Sequence, residues 1–425
     1  MKKDIILIAA ATMLLVSCRK EADYMPYIGE SSHLAYSNYT EQFQYIWKNI
    51  STSYVFWDVD TVDWDAAYDR FLPRFEALDR KYQDSGYVRT AELRTLYVAL
   101  MGNLLDHHMR ITIRNMHPAP TDTKDTLYFD NGRMEIPTRD YYIESHADEQ
   151  AAILAFLPTL ASHYSISGYA TATVPIPEFG GTTVTYHSCI INLPDGRKIP
   201  YLWQSMAAIT PVMRDMAGTP AYALLDGFFS AIRDLPRSQL AGIILDNRTN
   251  RGGYQDDLDY LIGSFINEKT EIERMRYKEG PGRLEYSVWC PYYIYPQSTY
   301  RRDLTAEDIP YVVICDINSI SMGEVEPMMI KATLPTAHIV GERTYGATGA
   351  LQTNSEDLNY SAPFGNAESG YHYIYSASFE PLIGGKIMEG IGLTPDEEVL
   401  RKDDPSHSFK PQLDAAVSYI QNYPY

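Results

Sequence analysis

The stretch Ile309–Glu324, IPYVVICDINSISMGE, decides how the rest of the chain is read. Tyr311–Cys315 is an unbroken apolar run rich in β-branched residues, the composition of a parallel strand buried on both faces. Asp316 and Asn318 end the run, and the residues from Ser321 onward read as the opening of a helix. A serine at a strand-to-helix turn can present Oγ at the sheet edge beside unpaired backbone N–H groups. The positive end of the helix dipole favours a developing oxyanion there. A plain N-cap serine has the same local pattern, so the stretch alone leaves both readings open.

Working outward, strand and helix alternate from Ile199 to about Val399. Tyr201–Trp203 looks extended, Leu225, Phe228, Phe229 and Ile232 form a helical stripe, and Ala241–Leu245 and Ala337–Val340 are strand-like. Such alternation implies a mostly parallel sheet with right-handed crossovers, and ligands at the carboxyl ends of its strands. Upstream, three stripes each predict an amphipathic helix: Phe43, Ile46, Trp47 and Ile50; Tyr68, Phe71, Leu72 and Phe75; Leu93, Leu96, Tyr97, Leu100 and Leu104. Met109–Arg114 and Thr182–Asn192 read as strands, and 153–160 as a helix. The expected division is an N-terminal helical domain over 39–108, a mixed α/β middle segment over 109–198 and an α/β domain over 199–425.

The chain has 425 residues, 45% of them hydrophobic, enough for two or three domains with a large core. Its 35 tyrosines suit peptide or sugar platforms, or simple amphipathic filling. A formal charge of −19 with no concentrated basic face excludes a nucleic-acid partner. Lys2 and Lys3 precede the apolar run Ile5–Val16, which is too short to span a bilayer and has the layout of a signal peptide over 1–17. Leu15-Val16-Ser17-Cys18 resembles a bacterial lipobox. That resemblance implies lipidation of Cys18, a tether over 18–38, and anchoring at the bacterial cell envelope, on the outer membrane. The other cysteines, Cys189, Cys290 and Cys315, form neither a disulfide framework nor a zinc motif.

Four segments in order carry a resemblance to the C-terminal processing, or tail-specific, serine proteases of peptidase family S41. Leu245–Gly253, LDNRTNRGG, resembles the family's LDLRGNxGG turn, and Ser319–Glu324, SISMGE, its SxSxxE segment. Gly341–Gly346, GERTYG, is similar to GExTxG, and Glu389–Asp396, EGIGLTPD, to EGxGxxPD. The resemblance implies a crotonase/Clp-protease-like β/α core and no metal or organic cofactor. It also implies peptide or unfolded-protein substrates. Aligned on Glu324, the nucleophile falls on Ser321 and Ser319 is a bystander. The lysine base of the processing branch is replaced by Ala347, whose methyl group cannot accept a proton.

The tricorn-like and interphotoreceptor retinoid-binding branch takes its base from an upstream LxDGH motif, which Leu104–His108, LLDHH, resembles with His107 in place of glycine. The implied triad is Ser321, His108 and Glu389, the carboxylate orienting the base. The implied oxyanion donors are the N–H groups of Met322 and of Gly252 or Gly253. His338 and His372 are reserve candidates for the base, and Asp106 reads as a helix-end or hydrogen-bonding residue. Asp106-His107-His108 also spells the DHH of metal-dependent phosphoesterases, but it follows helices rather than a parallel sheet. The middle segment occupies the PDZ position without a GLGF-like loop. The chain therefore reads as a lipid-anchored serine endopeptidase. The alternatives are an S41-fold lipoprotein that binds peptide or an apolar ligand without turnover and, from the tyrosines alone, a glycan binder.

Overall fold

A computed structural model describes residues 37–130, 146–351, 360–361, 364–365, 372–404 and 406–424. The signal peptide, Cys18 and the tether up to residue 36 lie outside them. Asn38, the last tether residue, caps the first helix: its side chain accepts from the Glu41 N–H at 2.8 Å.

Three helices, α1 (Tyr39–Ser53), α2 (Trp64–Ser85) and α3 (Thr90–Met101), form where the apolar stripes lie. Their buried residues, Phe43, Ile46, Ile50, Phe71, Phe75, Leu93 and Tyr97 among them, join one core. That core also takes Ile111 and Ile113 from β1 (Arg110–Arg114) and Leu127 and Phe129 from β2 (Thr126–Asp130). The division expected at 108/109 is therefore corrected. The strands after it alternate side chains onto the helices and belong with them. This N-terminal sheet continues far along the chain with β12 (His372–Tyr375), antiparallel to β1, and ends with β11 (Phe364–Gly365), antiparallel to β12.

A seven-stranded sheet forms the second unit, in the order β14 (Glu397–Glu398), β10 (Ala337–Gly341), β9 (Tyr311–Cys315), β6 (Ile243–Asp246), β5 (Lys198–Gln204), β4 (Thr182–Asn192) and β3 (Ile166–Ile176). From β14 to β5 the strands are parallel; β5, β4 and β3 are antiparallel. The boundary expected at 198/199 runs through the β4–β5 hairpin, so the end of the middle segment is part of the same sheet. The edge strand β3 was not foreseen; it carries Pro175, which an edge tolerates because no further strand needs its missing N–H.

Alternate residues of β9 serve opposite cores. Tyr311, Val313 and Cys315 pack with the helices Ile209–Asp215, Pro220–Asp234 and Met322–Thr333, while Val312 and Ile314 meet the helix Lys410–Asn422. Such two-sided burial is what the apolar run predicted. A third, three-stranded sheet joins β13 (Glu380–Ile383), β7 (Thr270–Arg276) and β8 (Cys290–Ile294).

The loop after β6 is pinned by a fully buried ion pair. Asp246 accepts from Arg248 Nε at 2.8 Å and Nη2 at 2.5 Å, and from Tyr201 at 2.7 Å; Arg248 Nη1 donates to the Phe409 carbonyl at 2.5 Å. Removing one partner strands the other charge away from water, which costs about 3–5 kcal/mol. Asp246→Ala is therefore expected to lower the urea unfolding free energy by about 3–5 kcal/mol. A loss below about 1 kcal/mol would be typical of a surface substitution and would contradict this account.

Candidate active site

Ser321 ends the turn that leaves β9 and precedes the helix Met322–Thr333. Its φ is 57° and its ψ −128°. A non-glycine residue in that region holds roughly 1–3 kcal/mol of strain and persists only where its surroundings impose it. They do so here: Ile320 N–H donates to the Asn250 carbonyl at 2.9 Å and Ser321 N–H to the Ala347 carbonyl at 3.1 Å. A Cβ added to Gly252 would lie 2.5 Å from Ser321 Cβ, 2.9 Å from its Oγ and 3.0 Å from Met322 N. Glycine is required there because any side chain would occupy the space beside the hydroxyl.

The two serines of the motif have different surroundings. Ser319 Oγ donates to the Asn247 carbonyl at 2.8 Å and accepts from Asp316 N–H at 3.0 Å, so it is a fully buried pin of the turn. Pro327 lies inside the nucleophile helix, where its missing N–H would leave the Gly323 carbonyl without its helical donor. Asn247 Nδ2 donates to that carbonyl at 3.2 Å instead. The same amide reaches Glu326 at 2.7 Å.

The expected oxyanion donors separate. Gly252 N–H is used within its own loop, donating to Asn250 Oδ1 at 2.9 Å. Among the described residues, the N–H groups of Met322 and Gly253 have no acceptor, which leaves these two for a substrate oxygen.

Glu324 is buried and grips the segment opposite Ser321. It accepts from Thr344 Oγ1 at 2.6 Å, from Gly346 N–H at 2.9 Å and from Ala347 N–H at 2.7 Å. Ala347, at the place of the processing-branch lysine, is fully buried and offers only its carbonyl to Ser321. The next two amides go to Glu389, which accepts from Thr348 N–H at 2.6 Å and Gly349 N–H at 2.7 Å, and from His107 N–H at 2.8 Å.

One ring nitrogen of His108 and carboxylate oxygens of Asp106 and Glu389 lie within 4.8 Å of one another. Both His108 ring nitrogens are buried without a hydrogen-bond partner among the described residues. Burial, then the charges of Arg110 and His107, depress this imidazole to about 3, so it is neutral at pH 7 as a general base must be. Burial, then the Asp106 charge, pushes the Glu389 carboxyl up to about 8. Both oxygens of each carboxylate already accept backbone N–H groups: Asp106 takes those of His108 at 2.8 Å and Ala377 at 2.7 Å. Each carboxylate is thus held by main-chain donors, with the His108 imidazole within 4.8 Å of both. His107 is not strained in the glycine's place. Its φ is not positive, and its ring meets Tyr345 edge-on with Nδ1 3.3 Å from the Tyr345 carbonyl.

The reserve histidines lie elsewhere. His338 pairs in register with Val312, in the first half of its strand, and stacks on Tyr419 with ring centroids 3.7 Å apart. His372 is buried in the N-terminal sheet opposite Ile113 and meets Tyr45 edge-on. The contributions of Glu324, Asn247 and Thr348 were not foreseen. Glu324 and Asn247 stand within quoted motifs, SISMGE and LDNRTNRGG, but Thr348 had no signal.

This fold and site define a serine-peptidase scaffold of the S41 kind. The sequence model of peptidase family S41 matches residues 220–399, a region that includes Ser321 and Glu389. His108 lies outside the match. Among solved structures, a candidate peptidase from Parabacteroides merdae ATCC 43184 is similar over 91% of this chain and 97% of its own, at 19% identity and a TM-score of 0.60. Mature CPAF is similar over 91% and 98%, at 13% identity and 0.54, and its complex with lactacystin over 91% and 99%, at 12% and 0.53. At these identities the likeness is one of fold. No curated protein matches the sequence.

The strain at Ser321 predicts a particular order of stabilities. Ser321→Gly should unfold at a free energy about 1 kcal/mol higher than Ser321→Ala, because glycine relieves the positive φ and alanine keeps it. Thermal unfolding of the two variants checks this, and alanine equal to or above glycine contradicts it.

Proposed function

We propose that this chain is a serine endopeptidase in which Ser321 is the nucleophile, His108 the general base and Glu389 the residue that orients the base. The observation that carries the reading is the strained backbone of Ser321, at a turn where Gly252 leaves open the space beside the hydroxyl and the Met322 N–H. A serine serving only as a helix cap needs no such conformation, and Ser321 makes no side-chain cap bond.

In the proposed cycle, neutral His108 takes the Oγ proton as Oγ attacks the scissile carbonyl. Glu389 stabilises the imidazolium, and the two N–H groups hold the oxyanion. The imidazolium then protonates the leaving amine, and water releases the acyl group by the same steps. The proton route lies with His108 because Ala347 has no group to accept it. Substrates are peptides or unfolded proteins. The lipobox-like Leu15–Cys18 places the enzyme at the bacterial envelope on a lipid anchor at Cys18. No helix among the described residues is long and apolar enough to cross a membrane.

A binding lipoprotein without turnover is the competing reading, and what favours it is that neither ring nitrogen of His108 has a partner among the described residues. A fluorophosphonate probe separates the two. The hydrolase reading expects the wild type to be labelled, labelling to vanish in Ser321→Ala, and the labelling rate to fall about 10²–10⁴-fold in His108→Ala. Absence of labelling in folded wild-type protein supports the binder.

A further inference from the structure

We infer that Asp106 is a positioning residue for this reaction: its carboxylate fixes the main chain that carries His108 and faces Glu389, so that the imidazole works between two carboxylates. The inference rests on the Ser321–His108–Glu389 reading.

The geometry has two parts. First, Asp106 Oδ1 accepts from His108 N–H at 2.8 Å, two residues on, and the Asp106 carbonyl accepts from Met109 N–H at 3.3 Å. This is a turn closed by an aspartate side chain, in which the side chain stands in for a backbone carbonyl. With His107 where glycine would allow a left-handed turn, that bond sets the direction in which His108 leaves the loop. Asp106 Oδ2 accepts from Ala377 N–H at 2.7 Å, which ties the loop to the chain just beyond β12. The loop is held from behind as well: Asp106 N–H donates to Tyr54 Oη at 3.2 Å, and Tyr54 donates to Asp60, which also accepts from Leu105 N–H at 2.8 Å.

Second, the Asp106 carboxylate lies within 4.8 Å of both a Glu389 oxygen and a His108 ring nitrogen, all buried. At that distance two carboxylates in a poorly solvated site share their protons, and the pair titrates as a unit. The other ionisable groups acting on the cluster are His107 and Arg110 beside His108, Tyr54 with Asp60 behind Asp106, and Tyr375 on β12. A negative Asp106 makes Glu389 harder to ionise but favours the imidazolium formed as Ser321 attacks. Removing that charge should therefore lower the pH at which the site becomes active, and also lower its maximal rate.

The test is the pH dependence of the fluorophosphonate labelling rate in the full chain and two variants. Asp106→Asn keeps an oxygen for the His108 N–H and removes the charge. Its acid-limb midpoint is expected to move down by about one pH unit, and its plateau rate to fall about 10-fold or more. Asp106→Glu keeps the charge and misplaces the oxygen, so its midpoint should stay at the wild-type value while its plateau falls. An unmoved midpoint in Asp106→Asn, a plateau within about twofold of wild type, or a midpoint in Asp106→Glu that follows Asp106→Asn overturns the inference. If folded wild type is never labelled, it is the hydrolase reading that fails. The NMR titration of the His108 ring in wild type and Asp106→Asn then decides: a downward move of the coupled titration supports the placement of Asp106, and identical curves overturn it.

Discussion

Four consecutive backbone amides, those of Gly346, Ala347, Thr348 and Gly349, donate to two buried carboxylates: the first two to Glu324, the second two to Glu389. The rest of the site depends on this arrangement. Glu324 belongs to the helix that follows Ser321 and Glu389 to the chain near its carboxyl end, so the segment between them ties the Ser321 turn to the loop that carries His108. The Ala347 carbonyl, fixed by its own amide's bond to Glu324, accepts from Ser321 N–H and helps impose the strained turn. Buried carboxylates are costly unless hydrogen-bonded, and here backbone donors supply what a lysine or arginine would elsewhere.

The same arrangement accounts for the loss of the processing-branch lysine. A long cationic side chain at 347 would lie where the fully buried methyl now sits, beside a turn whose polar groups are already matched. In the proposed mechanism the proton acceptor is instead His108 of the N-terminal unit, carried by the loop between α3 and β1. That loop is not independently mobile in its bonding. It is tied to Glu389 through the His107 amide and to the Ala377 amide through Asp106.

Much of this was legible in the sequence, and for local reasons. The β9 run, the three helical stripes and the four motifs each depend on residues a few positions apart, where period and turn chemistry act directly. The pairing of β1 with β12 was not legible, because nothing in either short strand encodes a partner so far along the chain. Division at 108/109 and 198/199 failed for the same reason: strands were assigned to neighbours in sequence rather than in the sheet. Ser321 and Glu389 could be placed by motif, but their coupling through 346–349 could not, since backbone amides leave no mark in the choice of side chains. Asp106 and Asn247 were visible as letters of motifs whose work only the fold defines.

The most direct measurement of the central claim, that Ser321, His108 and Glu389 act as one unit across the two halves of the molecule, is a crystal structure of the phosphonylated protein. The account predicts phosphorus bonded to Ser321 Oγ, the phosphoryl oxygen within hydrogen-bonding distance of the Met322 and Gly253 N–H groups, and the His108 ring bridging the adduct and Glu389. An adduct on another residue, or a His108 ring that remains out of reach of both, would contradict it.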